Sequence, residues 1–253
     1  MISKNRIKYI HSLEQKKHRR NEGVFVAEGP KLVAELLAVL DCVYVACVES
    51  WHSALSADLP ETCACDIVTE DELVKISFLE TPQQVLAVFR QPEYYVPMSV
   101  SASERLCLAL DDVQNPGNLG TIVRLADWFG IEDIYCSLGC ADIYNPKTVQ
   151  ATMGAVARVR VHYVDLVEQL RELDETVNVY GTFLDGENVY DKTLEDRGVI
   201  IMGNEGRGVS DAVASYVNER LRIPNYPEGR KTSESLNVAI ATAVICAEFR
   251  RKR

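Results

Sequence analysis

Three loops after residue 110 of this chain combine glycine with amide, carboxylate and hydroxyl groups, and each follows a predicted β-strand. They read "DDVQNPGNLGTIVR", "MGNEGRGVS" and "IPNYPEGRKTSESLN". In open parallel sheets, ligands bind beyond the carboxyl ends of the strands, so loops that leave strands are where chemistry is expected. We predict that the three loops form one ligand site, in which the glycines let the backbone approach the ligand closely.

A dinucleotide site is the first alternative, because glycine-rich turns between a strand and a helix often bind pyrophosphate. The dinucleotide fingerprint requires G-x-G-x-x-G at the start of a helix, with an acidic residue about 20 positions further on. Here "GNEGRG" has the glycines in the order G-x-x-G-x-G, lies late in the chain, and is not accompanied by a Walker pattern. The sequence therefore disfavours a nicotinamide-dependent oxidoreductase without eliminating it.

The predicted elements around these loops alternate between strand and helix. Strands are predicted for "LCLALDD", "DIYCS", "RVRVHYV", "VNVYGTFL", "GVIIMGNEG" and "LRIP". Helices are predicted for residues 121–129, 147–154 and 166–173, after Ser210, and at the end of the chain. Several strands are apolar throughout, which is typical of a parallel sheet covered by helices on both faces. The predicted fold class is α/β with a mostly parallel C-terminal sheet.

The first part of the chain has the pattern of a separate, smaller α/β domain. Its predicted strands are "GVFVAEG", "CVYVACV" and "VLAVFR", and "PKLVAELLAVL" has apolar residues at helical spacing after an N-terminal proline. The stretch "RQPEYYVPMSVSASER" interrupts this pattern with two prolines and several serines, which predicts a linker. We therefore predict two domains, residues 1–98 and 104–253, as the length favours.

Charge is distributed unevenly along the chain. The formal net charge is −10, but the first twenty residues carry +6 and the last four carry +4, which leaves −20 for residues 21–249. Phosphate contacts need local rather than global positive charge. The basic start therefore predicts a segment that binds a polyanion, with Lys16, Lys17, Arg19 and Arg20 as the candidate RNA contacts. Solvated termini without a partner are the alternative.

Cysteine usage and apolar content bear on other classes of protein. The eight cysteines are scattered, without a CxxC pair or nearby histidine ligands, so we predict structural thiols and no metal site. The longest apolar runs are shorter than the ~20 residues of a membrane span, and the start lacks the apolar core of a signal peptide. We expect a cytoplasmic protein without a membrane segment.

Five motifs together resemble one known family. "NPGNLGTIVRLADWFG", "NPKTVQATMGAVARVRV", "IIMGNEGRGVS", "RIP" and "SLNVAIATAV" look like the successive motifs of the SpoU (TrmH-like) branch of the SPOUT methyltransferases, in the same order. The segment "KYIHSLEQKKHRRNEGVFVAEGPKLVAELL" resembles the substrate-binding domain of rRNA-modifying members. The resemblance implies an S-adenosylmethionine-dependent RNA ribose 2′-O-methyltransferase, a trefoil knot around the cofactor, and a homodimer. Periodicity alone would not predict a knot, because knots are nearly absent from folds.

The resemblance also implies the site residues. The implied catalytic residues are Arg124, Asn118, Glu205, Ser235 and Asn237. The implied cofactor-binding residues are Gly203, Gly208, Ile223 and Leu236. Family accounts often make the arginine the general base, but a guanidinium stays protonated, so holding a phosphate or lowering the pKa of the ribose hydroxyl is physically easier. The identity of the general base therefore stays open.

Several of these residues have alternative roles that involve no catalysis. Arg124 could form a surface ion pair with Asp127, and Glu205 could be a solvated loop carboxylate. A serine such as Ser233 or Ser235 could simply cap the last helix, although capping does not explain Asn237, which we expect one step inside that helix.

The loop from Asn225 to Glu234 departs from the family pattern. It is longer and more charged, and it lacks the usual methionine after the proline, so Arg230 and Lys231 are either RNA contacts or part of an insertion. An rRNA substrate is favoured over tRNA by the N-terminal domain, by analogy alone. A non-catalytic RNA-binding assembly factor is the alternative from another class. The target nucleotide and the ribosomal subunit are not identified by the sequence.

Overall fold

A computed structural model describes residues 2–55, 59–227, 230 and 235–251. The described residues divide into two compact units. The first comprises the residues up to Glu93 together with Asp142–Ala157, and the second comprises Tyr94–Ala141 and the residues from Arg158 onward.

The first unit is built around a four-stranded sheet with the strand order β1-β4-β2-β3. The strands are β1 (Val24–Glu28), β2 (Cys42–Cys47), β3 (Ala64–Ile67) and β4 (Val85–Arg90). The central β4 pairs antiparallel with β1 and β2, and β3 is parallel to β2. The helices are α1 (Lys4–Ser12), α2 (Lys16–Glu22), α3 (Pro30–Leu37), α4 (Glu49–Leu55), α5 (Glu70–Val74) and, from later in the chain, α8 (Pro146–Thr152). The three strands predicted in this region are confirmed.

The segment Asp142–Ala157 belongs to the first unit although it lies far along the chain. Its helix α8 packs against β1, and the ring of Tyr144 lies 5.0 Å from that of Phe25 between centroids. Val149 and Thr152 are buried on α8. Residues 142–157, which the sequence assigns to the second domain, therefore group with the first unit.

Arg19 corrects one prediction from the basic N-terminal segment. Its side chain is buried, with 1% of the residue exposed. The guanidinium donates to the main-chain oxygens of Leu13 at 2.7 Å and Glu14 at 2.6 Å, and to the Asp142 carboxylate at 2.5 Å. Arg19 therefore joins two parts of the first unit and does not present its charge to RNA. The neighbouring basic residues are exposed on α2, and they are Lys16, Lys17 and Arg20.

The second unit contains a six-stranded sheet in which every pair of neighbouring strands is parallel. The strand order is β10-β8-β9-β5-β6-β7. The strands are β5 (Leu106–Leu110), β6 (Asp133–Ser137), β7 (Arg160–Val164), β8 (Val179–Asn188), β9 (Gly198–Met202) and β10 (Glu219–Arg222). The helices are α6 (Met98–Glu104), α7 (Pro116–Trp128), α9 (Leu166–Arg171), α10 (Asp211–Ala214) and α11 (Val238–Phe249). The prediction of an α/β fold with a mostly parallel sheet is confirmed.

Helix α6 occupies the stretch that was predicted as a linker. Met98, Ser101 and Ala102 are buried on it. The Ser101 hydroxyl donates to the carboxylate of Asp133 at 2.8 Å, so this serine satisfies a buried charge instead of facing solvent. Composition could not reveal this role, because the partner lies 32 positions away.

Helix α7 begins at Pro116, five residues before the predicted start. Pro116 stands at the first helical position, where its missing N–H costs nothing. The Asn115 side chain caps the helix by accepting from the Asn118 backbone N–H at 3.0 Å. The early start places Asn118 in the first turn of the helix. Within the described part of the chain, no helix has the length and apolar content to span a bilayer.

Candidate functional site

Three polar side chains from three separate parts of the chain form a series of hydrogen bonds at the carboxyl edge of the parallel sheet. Asn118 Nδ2 donates to Glu205 Oε1 at 2.5 Å, and Asn237 Nδ2 donates to Asn118 Oδ1 at 3.1 Å. The two bonds join residues that are 87 and 119 positions apart in the sequence. The structure thus brings together three of the five predicted catalytic residues.

Asn237 has two roles, and one of them corrects an expectation from the sequence. It is the N-cap of α11, not a residue inside the helix, because α11 begins at Val238. Its Oδ1 accepts from the backbone N–H groups of Ala239 at 3.0 Å and Ile240 at 3.3 Å. Its Nδ2 remains for the bond to Asn118, so one amide both caps a helix and extends the polar chain. Ser233 lies outside the described residues.

The glycine loop after β9 owes its shape to two of its glycines. A Cβ on Gly203 would lie 2.3 Å from backbone atoms of Gly208 and Val209, so any other residue would force the loop apart. Gly208 has φ of +72°, a conformation that side chains disfavour. Both glycines are therefore required by the backbone itself.

Asn204, which sequence reasoning missed, holds the same loop. Its backbone exchanges two hydrogen bonds of 2.9 Å with Gly208. Its side-chain oxygen accepts from the N–H groups of Gly206 and Arg207, and its Nδ2 donates to the main-chain oxygen of Asp112 at 2.8 Å. Asparagine is a typical turn residue because its side chain can bond backbone N–H groups two residues on, and its place between Gly203 and Gly206 could have identified Asn204.

A cavity of about 500 Å³ lies against the glycine loop, within the range of small-molecule sites. All four predicted cofactor-binding residues line it, and so do Glu205 and Ser235. The apolar lining residues that the sequence did not single out are Phe183, Leu184, Met202, Val209, Leu221, Val238 and Ala241. Of these, Phe183 and Leu184 precede Gly186, in a stretch of β8 where the pairing register with β10 shifts. Periodicity could not have placed them at a ligand.

Arg124 is exposed on α7, as its position off the buried residues Ile122 and Ala126 predicts. The alternative of an ion pair with Asp127 is wrong, because Asp127 instead receives three hydrogen bonds of 2.8 to 3.0 Å from Arg158. The contacts of the described residues include none between Arg124 and the chain of Asn118, Glu205 and Asn237. The structure therefore leaves Arg124 apart from the polar residues it was predicted to join.

The thiols do not form part of this site. All eight cysteines are free, and six of them are buried. Burial raises the pKa of Cys246 to about 12, which keeps this thiol protonated and unreactive. Among the residues that the structure describes, no group of histidine, cysteine, aspartate or glutamate side chains is arranged to hold a metal ion.

Comparison with known proteins gives matches along almost the whole chain. Residues 105–247 match the SpoU rRNA Methylase family, and residues 4–87 match the MRM3-like substrate binding domain. The chain is 34% identical over 247 residues to 23S rRNA (guanosine(2553)-2′-O)-methyltransferase RlmP of Bacillus subtilis, covering 97% of this chain and 96% of that protein.

Two solved structures are similar over both units. A TrmH-family protein from Porphyromonas gingivalis is 41% identical with a TM-score of 0.87, over 99% of this chain and 98% of that one. An AdoMet-bound rRNA methyltransferase from Sinorhizobium meliloti is 29% identical with a TM-score of 0.83, over 99% of this chain and 95% of that one.

Proposed function

Because the chain belongs to the SpoU rRNA methylase family, we propose that it transfers the methyl group of S-adenosylmethionine to a ribose 2′-hydroxyl of ribosomal RNA. The observation that carries the proposal is the polar chain of Asn118, Glu205 and Asn237, since Glu205 also lines a cavity whose walls include the predicted cofactor residues. The curated relative from Bacillus subtilis carries out this reaction on 23S rRNA, which is the first substrate to test.

The cavity residues fit an adenosyl cofactor. Gly203 and Gly208 bring backbone close to the ligand, while Ile223, Leu221 and Leu236 supply apolar surface for a flat ring. Cofactor sites combine such apolar walls with a few fixed polar groups. The bound cofactor supplies an electrophilic methyl group, and the residues of this chain must place the ribose hydroxyl in line with it.

The polar chain is suited to that placement. An amide carries two N–H donors, and one donor each of Asn118 and Asn237 is used within the chain. The second donors can hold oxygens of the RNA backbone, while Glu205 fixes the orientation of the Asn118 amide. Correct orientation of two reactants can by itself lower a reaction barrier by about 7 to 11 kcal/mol. We assign Arg124 to the RNA phosphate or to stabilising the developing oxyanion, and Ser235 to the same substrate-facing wall.

The homodimer is part of this proposal. Helices α7 and α11 pack against each other and carry exposed apolar side chains, including Trp128 with 83% and Ile240 with 55% of the residue exposed. A second copy that covers these residues would remove them from water. Light scattering at micromolar concentration tests this, and a monomer would contradict it. A Trp128→Glu variant should dissociate the dimer.

The domain assignment, the knot and the location are also proposals. We assign RNA binding to residues 1–98 and catalysis to residues 104–253, which the two separate matches support. We propose that the loops after β9 and β10 form a trefoil knot around the cofactor, by similarity to the family. A ribosomal substrate is in keeping with a cytoplasmic enzyme.

Transfer of labelled methyl groups into rRNA tests the function directly. Purified protein would be incubated with labelled S-adenosylmethionine and 23S rRNA transcribed in vitro, and the label should appear in alkali-resistant dinucleotides. Arg124→Ala should abolish the label, whereas Arg197→Ala, an exposed arginine just before the amino end of β9, should not.

Two binding measurements identify the competing functions. S-adenosylhomocysteine should bind by calorimetry, and NAD(H) should not. Label in tRNA instead of rRNA would change the substrate class. Binding of S-adenosylhomocysteine without transfer to naked or ribosomal RNA would favour the non-catalytic assembly factor.

A further inference from the structure

Tyr226 is the most exposed of the large apolar or aromatic side chains in the described part of the chain, with 92% of the residue exposed. It lies in the loop after β10 that departs from the family pattern, a loop that the proposed reaction does not explain. It lies three positions after Ile223, which lines the cofactor cavity. Because three residues span at most about 11 Å, the Tyr226 backbone stays within that distance of the cavity wall.

Two hydrogen bonds between described residues restrain the backbone around Tyr226. Asn225 Nδ2 donates to the main-chain oxygen of Arg230 at 2.7 Å, and the Arg230 N–H donates to the main-chain oxygen of Pro227 at 3.1 Å. Proline at the next position further restricts the conformations open to Tyr226. The ring is therefore presented to solvent from a restrained backbone, which lowers the entropy cost of binding a ligand on it.

The net charge of this loop does not explain a role in RNA binding. Residues 225–234 contain two basic and two acidic side chains, so their net charge does not attract phosphate. Aromatic faces, in contrast, stack on any unpaired base, and sequence-specific RNA recognition mostly targets unpaired bases of this kind. A ribose 2′-hydroxyl can react only if its nucleotide enters the site, so unpaired bases must lie close to the cavity during the reaction.

We propose that Tyr226 is a stacking platform for an unpaired base of the RNA substrate at the mouth of the cofactor cavity. The proposal rests on the proposed function, because it takes RNA as the ligand of this edge of the sheet. Two leucines of the cavity wall, Leu184 and Leu236, are also 75% and 48% exposed, so the mouth is apolar where a base would arrive. Tyr226 acts by binding the substrate and takes no part in proton transfer.

The test compares three substitutions of Tyr226 with one matched control. Tyr226→Ala removes the ring, Tyr226→Phe keeps the aromatic face, and Tyr226→Leu keeps apolar volume without a π-face. The control, Tyr95→Ala, removes another exposed tyrosine, with 72% of the residue exposed. Its neighbour Tyr94 accepts a hydrogen bond from Val161 at the amino end of β7, so Tyr95 belongs to the opposite edge of the sheet. For each protein, KM and kcat would be measured with unmodified 23S rRNA transcribed in vitro. The Kd for this RNA and for S-adenosylhomocysteine would be measured separately.

Stacking predicts a specific pattern of results. Tyr226→Ala should raise KM and Kd for the RNA by roughly 5- to 150-fold, the range that stacking of one base corresponds to. Tyr226→Leu should show a similar rise, while Tyr226→Phe and Tyr95→Ala should stay near wild type. Binding of S-adenosylhomocysteine and the dependence of log Kd on log salt should not change, because no charge is lost.

Several results would overturn the proposal. Wild-type RNA affinity in Tyr226→Ala, or in Tyr226→Leu, would show that no base stacks on this ring. Weaker binding of S-adenosylhomocysteine in Tyr226→Ala would make the residue part of the cofactor wall. The failure of the proposed function is a different outcome: wild-type protein would then transfer no methyl group, while the difference in RNA affinity between Tyr226→Ala and Tyr226→Phe would persist.

Discussion

The two edges of the six-stranded sheet use polar residues in opposite ways. At the amino edge, Asp133 is the first residue of β6, its side chain is fully buried, and it accepts hydrogen bonds from four residues. These partners are Ser101 at 2.8 Å, Arg160 at 2.7 and 2.8 Å, His162 at 3.0 Å and Arg105 at 3.2 Å. At the carboxyl edge, Asn118, Glu205 and Asn237 form a chain of single bonds beside an open cavity.

This difference separates stability from function. A buried carboxylate with all its acceptor positions filled has nothing left to offer a ligand, and it is costly to disturb. Partly exposed amides with unused donors contribute little to folding but can hold a substrate. We therefore expect substitutions at the amino edge to change the free energy of unfolding, and substitutions at the carboxyl edge to change the rate of methyl transfer.

Two asparagines at opposite edges provide the sharpest test of the comparison. Asn118→Ala removes the centre of the polar chain and should lower kcat by about 10²- to 10³-fold, as loss of a positioned donor does in other enzymes. Asn218→Ala removes an amide at the amino edge, where it forms hydrogen bonds with the backbone of Val179 and Val177 at the start of β8. It should lower the free energy of unfolding by about 1 to 3 kcal/mol and leave kcat unchanged.

Both quantities would be measured on both variants, by methyl transfer and by urea denaturation. Equal losses of kcat in the two variants would remove the distinction between the edges. A loss of stability in Asn118→Ala as large as in Asn218→Ala would do the same.

Asp133→Asn should give the largest loss of stability. Removing the charge of Asp133 leaves Arg105 and Arg160 paired only with exposed carboxylates such as Glu132. Loss of one partner costs about 3 to 5 kcal/mol in fully buried pairs. The two arginine side chains are 31% and 29% exposed, so water can solvate them and offset part of this cost. We therefore expect the free energy of unfolding to fall by about 2 to 3 kcal/mol. Urea denaturation measures it, and unchanged kcat at a temperature where the variant is folded is the control.

The same carboxylate predicts how stability depends on pH. Burial alone would raise the pKa of Asp133, but hydrogen bonds from Arg160, His162, Ser101 and Arg105 outweigh it and hold the pKa well below its usual range. A pKa that is lowered in the folded state adds stability above the unfolded value of about 3.9, and this stability is lost as the pH falls further.

Wild-type protein should therefore lose stability below about pH 4 with a slope from this group of up to about 1.4 kcal/mol per pH unit. Asp133→Asn should lack that part of the slope. Parallel pH profiles of the two proteins between pH 5 and 3 would contradict the assignment.

The two edges also differ in how far the sequence predicts them. A ligand site at the carboxyl edge was predictable because the residue types of the three segments are unusual after a strand, and the resemblance to the SpoU family singled out Gly203, Gly208 and Asn118 within them. The amino edge was not, because the partners of Asp133 come from two distant segments, residues 101–105 and 160–162, and each segment has another explanation by composition. Ser101, for example, resembles a linker residue. The prediction that Arg19 contacts RNA fails for the same reason, since a count of charges does not show which side chain pairs with Asp142.

Asn237 contributes both to stability and to the polar chain of the site. Its substitutions should have the smallest effect on the free energy of unfolding. Asn237→Ala loses the cap of α11 and should lower the free energy of unfolding by about 1 kcal/mol. Asn237→Ser keeps a capping oxygen and should stay within a few tenths of a kcal/mol of wild type, but it loses the amide that bonds Asn118.

If the bond to Asn118 matters for the reaction, both variants should lose methyl transfer to a similar extent although only one of them loses stability. Asn115→Ser is the matched control, because Asn115 caps α7 and serine can replace that cap. It should keep both stability and rate. Wild-type rates in Asn237→Ser would mean that the amide only caps the helix, and the polar chain at the carboxyl edge would then shrink to Asn118 and Glu205.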